Sequence, residues 1–133
     1  MDKLTIIEDK RGCLMPFEMI NMPFKIRRQF VVSNVPKGTI RGGHAHKKCE
    51  QYIICLNGSI KVHIDTLQEN QTVTLNTGDC IYVGILEWSE QTFLEDNSMI
   101  LVLCSKRYKV EDYIYEKEFL QIEIDKFKEK YGN

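Results

Sequence analysis

The stretch Gly38-Thr39-Ile40-Arg41-Gly42-Gly43-His44-Ala45-His46-Lys47-Lys48-Cys49-Glu50-Gln51 contains two of the three histidines in the chain. In an extended backbone side chains alternate between faces, so His44 and His46 share one. The apolar, partly β-branched run Tyr52-Ile53-Ile54-Cys55-Leu56 behind them favours a strand. Asn57-Gly58 reads as a hairpin turn into Ser59–Asp65, where apolar and polar residues alternate. Two imidazoles side by side on a strand can act as acid and base near neutral pH, or as metal ligands. A purely structural strand has little use for Gly42-Gly43, which permit a sharp turn or a close backbone approach to a ligand.

Outward from this stretch, Phe30–Asn34, Thr72–Leu75, Cys80–Gly84, Ile85–Phe93 and Met99–Cys104 read as further short strands. They are punctuated by turns at Val35-Pro36-Lys37-Gly38 and Asn76-Thr77-Gly78-Asp79. Leu4–Ile7 and Cys13–Glu18 form an N-terminal strand pair around Asp9-Lys10-Arg11-Gly12, with Pro16 marking an edge. That pair packs either on its own chain or on the sheet of a neighbouring copy. The pattern predicts an all-β sandwich or barrel, in a single domain over residues 1–133. Only the tail departs from it: Val110–Lys130 is charged, with Tyr113, Phe119, Leu120, Ile124 and Phe127 at helical spacing. It predicts one C-terminal amphipathic helix, or a short helix and a longer one.

A length of 133 residues suits one domain with its own core. The formal charge of −1 argues against a general nucleic-acid binder. No apolar run approaches the ~18 residues of a membrane span, and no leader-like segment opens the chain. The expectation is a cytoplasmic protein with neither nucleic acid nor membrane as partner. Five cysteines without CxxC spacing predict reduced thiols, not a disulfide framework or a structural zinc site. Lys25-Ile26-Arg27-Arg28-Gln29 is either a solvated surface or an anchor for phosphate, whose oxygens match the guanidinium fork.

The spacing of Gly38, His44 and His46 resembles the first cupin motif, G-x5-H-x-H-x3,4-E-x6-G. Counting back from Gly58 puts Gln51 at the acid position, whereas Glu50 at the shorter spacing leaves the last glycine one residue late. The second motif, G-x5-P-x-G-x2-H, would start at Gly78, with Gly84, Leu86 and Ser89 standing where Pro, Gly and His belong. The resemblance implies a cupin jelly-roll β-sandwich or barrel. Two of the four usual metal ligands are present, and His63 lies outside both motifs. A catalytic metal normally takes about three protein ligands. The expectation is no metal and no cofactor, with the histidines kept for proton transfer.

Arg41-Gly42-Gly43-His44-Ala45-His46-Lys47-Lys48, with Gln51 following, also resembles the RGxHAHKKxxQ signature of FdtA/QdtA-like sugar-nucleotide 3,4-ketoisomerases. Asp9–Leu14, Trp88 and the segment from Ser105 to Phe119, with Tyr108 and Glu111-Asp112-Tyr113-Ile114, agree in order and spacing. The resemblance implies isomerisation of a dTDP-linked keto-deoxysugar, dTDP-4-keto-6-deoxyglucose, by proton transfer through an enediol. On that reading His46 is the base or shuttle and His44 delivers or orients a proton. Arg41 stabilises enediolate charge or grips the nucleotide. Arg11, Arg27, Arg28, Lys47 and Gln51 become candidates for holding the substrate. Trp88 is either core or a wall of the sugar pocket. Ser89 stands where relatives commonly carry His or Arg. The family further implies a homodimer with swapped N-terminal strands, and a product passed to an aminotransferase making a 3-amino sugar. The rival readings are an epimerase of related dTDP-4-keto sugars, a non-catalytic sugar- or effector-binding cupin and a metal-dependent cupin enzyme.

Overall fold

The computed structural model describes residues 1–132. Its strands are β1 (Asp2–Lys3), β2 (Ile7–Asp9), β3 (Gly12–Leu14), β4 (Arg28–Val32), β5 (Ile40–His46) and β6 (Gln51–Asn57). They continue with β7 (Ser59–Asp65), β8 (Asn70–Asn76), β9 (Asp79–Val83), β10 (Trp88–Phe93), β11 (Met99–Cys104) and β12 (Tyr113–Ile114). One helix, α1 (Lys117–Tyr131), closes the chain. Two five-stranded sheets, ordered β1-β9-β6-β11-β4 and β12-β5-β10-β7-β8, face each other, and all their pairings are antiparallel. This is the expected all-β jelly roll with a C-terminal helix.

Alternation fills the space between the sheets. Ile53, Cys55, Ile60, Val62, Leu75, Phe93, Ile100 and Val102 all point inward and are buried. The outer faces are covered as well. Leu4, Phe17, Met22, Phe24 and Ile26 from the N-terminal segment pack over Tyr52, Ile54, Cys80 and Leu103 of the first sheet. On the second sheet, Leu120 and Ile124 of α1 cover Ala45, Trp88 and Ile114, and Lys117 Nζ lies 2.9 Å from Asp65 Oδ2.

Three expectations need correction. Asn57-Gly58 makes no hairpin: β6 pairs with β9 and β11, while β7 pairs with β8 and β10, so the turn carries the chain from one sheet to the other. A two-residue turn signal specifies a sharp bend, not whether the flanking strands pair. Gly58, at φ +83°, is required there because a Cβ would run into Ser98, its Cα 2.8 Å away. Ser98 Oγ in turn accepts the Ser59 N–H at 3.1 Å.

The second correction concerns the middle of the tail, where a strand lies between the expected short helix and longer one. Val110–Asp112 is a single 3₁₀ turn, and Tyr113-Ile114 is a strand paired with His46 and Ala45. Only from Lys117 does the helical spacing produce a helix. The third concerns the N-terminus, where strand structure covers Ile7–Asp9 and Gly12–Leu14, not Leu4–Ile7 and Cys13–Glu18. This β2–β3 hairpin pairs with no other strand among the described residues, and Ile7 and Leu14 are 53% and 62% exposed.

Candidate active site

β5 positions the site, and a bulge in it decides which side chains meet. Arg41 and His44 stand three positions apart, so regular alternation would send them to opposite faces. The register with β10 runs Ser89↔His44, Glu90↔Gly42 and Gln91↔Arg41, which leaves Gly43 as an extra residue. Ser89 and Gln91 share a face of β10, so their partners His44 and Arg41 share one too. Gly42 and Gly43 take φ of +85° and +76°, a region costly for other residues. A Cβ on Gly42 would sit 2.8 Å from both Gln91 Oε1 and Ser89 O. Gly42→Ala is therefore expected to cost about 1–3 kcal/mol of stability, read as a lower midpoint in thermal or urea unfolding. An unchanged midpoint would mean that the bulge relaxes freely.

Arg41, His44, Gln51, Gln91, Phe30 and Phe93 are among the residues lining a small cavity of about 90 Å³ between the sheets. Ser89 is buried beside His44, and its Oγ accepts a hydrogen bond from Gln91 Nε2 at 3.0 Å. Burial, reinforced by the neighbouring His46, lowers the His44 pKa to about 4, so its imidazole is neutral at pH 7.

His46 is only 4% exposed. Its Nδ1 lies 2.9 Å from Asp112 Oδ2. The same carboxylate accepts the backbone N–H groups of Lys48 at 2.7 Å and Cys49 at 3.3 Å. Burial pushes the Asp112 pKa up, but the His46 hydrogen bond and these amides outweigh it and hold the group below its usual value. An ionised carboxylate only accepts, so His46 Nδ1 carries a proton, and in the neutral imidazole Nε2 is the nitrogen that bears the lone pair. That Nε2 is buried without a hydrogen-bond partner among the described residues.

Aromatic rings surround the two imidazoles. The His44 and His46 ring centroids are 5.1 Å apart, and the Tyr113 ring lies 4.4 Å from His46 and 5.0 Å from His44. Tyr115 stacks on Tyr113 at 5.7 Å. The Arg28 guanidinium sits 5.5 Å from the Phe30 ring and 5.6 Å from Tyr108, with its Nε unpartnered among the described residues. Burial raises the Tyr113 pKa, against an opposing pull from Arg28.

His44, His46, Arg41, Arg28, Gln51 and Ser89 thus converge on one region. Four other candidates lie elsewhere. Trp88 is one position from Ser89 and so faces outward, in the apolar layer under α1, with Nε1 donating to Glu90 Oε1 at 3.1 Å. Lys47 leaves the sheet and lies 3.8 Å from Glu123 on α1. Arg27 is exposed, and Arg11 sits on the exposed β2–β3 hairpin bonded to Asp9 at 2.6 Å. Asp112, Tyr113 and Tyr115 were not among the candidates. Their signal was the segment Asp112-Tyr113-Ile114, in which Tyr113 also fits the helical spacing of the tail.

The residues at the cupin ligand positions do not fit a metal. Glu50 turns away to accept the Tyr82 hydroxyl at 2.7 Å, Gln51 is an amide, and Ser89 offers a hydroxyl. His46, Cys49 and Asp112 do place potential ligand atoms within 4.8 Å of one another. The Asp112 oxygens there are already engaged by His46 and the two backbone amides.

Comparison with known proteins agrees with this geometry. Residues 1–124 match the family model described as FdtA: WxcM-like, C-terminal. The TDP-4-oxo-6-deoxy-alpha-D-glucose-3,4-oxoisomerase of Aneurinibacillus thermoaerophilus is 35% identical over 127 residues, covering 90% of this chain and 91% of that one. A histidine-to-asparagine mutant of the 3,4-ketoisomerase QdtA from Thermoanaerobacterium thermosaccharolyticum, solved in complex with TDP-4-keto-6-deoxyglucose, superposes with a TM-score of 0.83. It is 36% identical, over 98% of this chain and 94% of that one. A 3,4-ketoisomerase from Helicobacter canadensis gives a TM-score of 0.81 at 28% identity, over 92% and 95% of the two chains. Fold and site together define a cupin-like isomerase. The chain belongs to the FdtA-like family of sugar-nucleotide 3,4-ketoisomerases.

Proposed function

We propose that this protein converts dTDP-4-keto-6-deoxy-D-glucose into a dTDP-3-keto-6-deoxyhexose through an enediol. The observation that carries the reading is His46, whose Nδ1 is fixed on Asp112 while Nε2 is free and buried. Nε2 removes the proton on C3, which is acidified by the adjacent C4 ketone, and the C4 oxygen gains a proton. Loss of the proton from the C3 hydroxyl and delivery of one to C4 complete the transfer. Electrons and atoms balance without any redox partner. Neutral His44 donates or orients a proton near the C4 oxygen, and Arg41 on the same face stabilises the developing oxyanion. Arg28 and Gln51 hold the substrate, and Tyr113 walls the site.

The exposed β2–β3 hairpin, with Ile7 and Leu14 uncovered, supports a homodimer in which this segment packs on the neighbouring copy. Such a dimer would bring Arg11 to that copy. The 3-keto product suits an aminotransferase that makes a 3-amino sugar, a pathway set in the cytoplasm.

The deciding experiment is proton NMR of dTDP-4-keto-6-deoxyglucose with chelator-treated protein in deuterated water. Appearance of a 3-keto sugar carrying deuterium at C4 is expected. Exchange at C3 and C5 without ketone migration would indicate an epimerase instead. Binding with no exchange at all would indicate a non-catalytic sugar-binding protein.

The depressed His44 pKa has a consequence for stability. Between pH 6.5 and about 4 the unfolded chain takes up a proton on this residue that the folded chain refuses. Its contribution is complete above pH 6.5 and is lost progressively as pH falls to about 4. Allowing for partial exposure, the loss is about 2 kcal/mol. Urea midpoints at pH 7 and pH 4.5, compared between wild type and His44→Gln, measure it. An equal acid-induced drop in both proteins would contradict it.

A further inference from the structure

A cleft of about 730 Å³ lies between α1 and the segments that follow β5, β9 and β11. It shares no lining residue with the cavity at His44. Five lysines line it against two glutamates, in a chain whose formal net charge is −1. Lys47 and Lys126 are held by Glu123 at 3.8 and 3.6 Å. Lys48, Lys106 and Lys130 have no carboxylate partner among the described residues, because Glu50 is turned onto the Tyr82 hydroxyl.

The apolar part of the lining is aromatic. Leu120 and Ile124 bind α1 to the sheet, whereas Phe127 and Tyr131, further along, line the cleft with Tyr82. All three rings are substantially exposed, and Phe127 and Tyr131 lie 4.7 Å apart. Lysines without counter-charges beside open rings match phosphates attached to a planar base: ammonium groups neutralise the phosphates and rings stack on the base. The volume lies within the range of about 300–1,000 Å³ usual for small-molecule sites. Lys126, Phe127, Lys130 and Tyr131 fall beyond residues 1–124, the part matched by the family model.

The floor of the cleft is bonded to the catalytic dyad. Leu86 N–H donates to His46 O at 2.7 Å, and Lys48 N–H donates to Asp112 Oδ1 at 2.7 Å. We propose that this cleft is a second ligand site, taking a nucleoside diphosphate, and that its occupancy alters turnover through the segment His46–Cys49. The site goes beyond the ketoisomerase reading but counts the pocket of that reading as the first TDP site. What decides it is the change made by the cleft variants, which does not depend on the reaction catalysed.

The test is calorimetric titration of the full chain with TDP and, separately, with inorganic pyrophosphate. Two TDP molecules per chain are expected. Lys106→Glu combined with Lys130→Glu should weaken one site at least tenfold, leaving the thermal midpoint and basal turnover unchanged. Phe127→Ala with Tyr131→Ala should weaken TDP at that site while sparing pyrophosphate. In steady-state kinetics TDP should inhibit in a mixed pattern that becomes purely competitive in the lysine double variant.

TDP stoichiometry and affinity unchanged in the lysine double variant would overturn the proposal. So would pyrophosphate binding as tightly as TDP, since the base would then go unread, or purely competitive inhibition of the wild type. Loss of self-association in the lysine double variant would reassign the cleft to a second copy of the chain.

Discussion

His46→Asn abolishes ketone migration, lowering kcat by about three orders of magnitude or more, while affinity for the substrate nucleotide stays within a few fold. The asparagine amide can still donate to Asp112, so the contact now made at 2.9 Å is kept and the fold should be unchanged. What disappears is the basic Nε2, among the described residues the one buried imidazole nitrogen left without a partner. Single-turnover NMR in deuterated water reads the loss directly, because exchange at C3 stops together with product formation. Near-normal turnover would remove His46 from the mechanism. Exchange persisting at C3 without product would instead move its role to the second proton transfer.

Asp112→Asn is expected to lower kcat by about two to four orders of magnitude with little change in KM. The Asp112 oxygens now face two backbone N–H groups, from Lys48 and Cys49, which need an acceptor. An amide oxygen in place of Oδ1 keeps the shorter bond from Lys48 N–H, while the NH2, in place of Oδ2, faces His46 Nδ1 and gives up the longer Cys49 bond. That imidazole must then carry its proton on Nε2, the tautomer unable to accept from C3. The effect is on proton position, so the pH–rate profile should change while the nucleotide still binds. A variant that keeps wild-type kcat would show that the carboxylate only ties the loop in place. A variant that loses nucleotide binding in parallel would point to a collapsed site.

The paired histidines and the β architecture were legible because both rest on a period of two. His44 and His46 share a face in any extended strand, and the regular spacing of short strands leaves few alternatives to a sandwich. Arg41 joining them was not readable from alternation, since the bulge at Gly43 reverses the parity. Gly42-Gly43 announced an irregularity without giving its direction. Asp112 and Tyr113 were hidden for another reason. Asp112 ends a single 3₁₀ turn and Tyr113 opens a strand of only two residues, both too short for any period, and the segment runs directly toward a helix whose spacing Tyr113 happens to fit. Trp88 shows the converse: one residue of alternation separates it from Ser89, and it belongs to the layer under α1. Lys47 and Arg11 could be proposed from charge alone, but charge does not say which way a side chain leaves the sheet.

The extra glycine in β5 also divides the strand into two inheritable parts. Residues after Gly43 carry the imidazoles, and those before it carry Arg41. Deleting that single glycine would restore ordinary alternation with the pairing unchanged, leaving Arg41 and His44 two positions apart on one face, opposite Gln91 and Ser89. The extra residue is therefore not counted when the two halves are placed on one face. A lineage could lose the bulge in one step and keep both the guanidinium and the histidine pair in the pocket, giving up only the local bend and twist that a bulge adds to a strand.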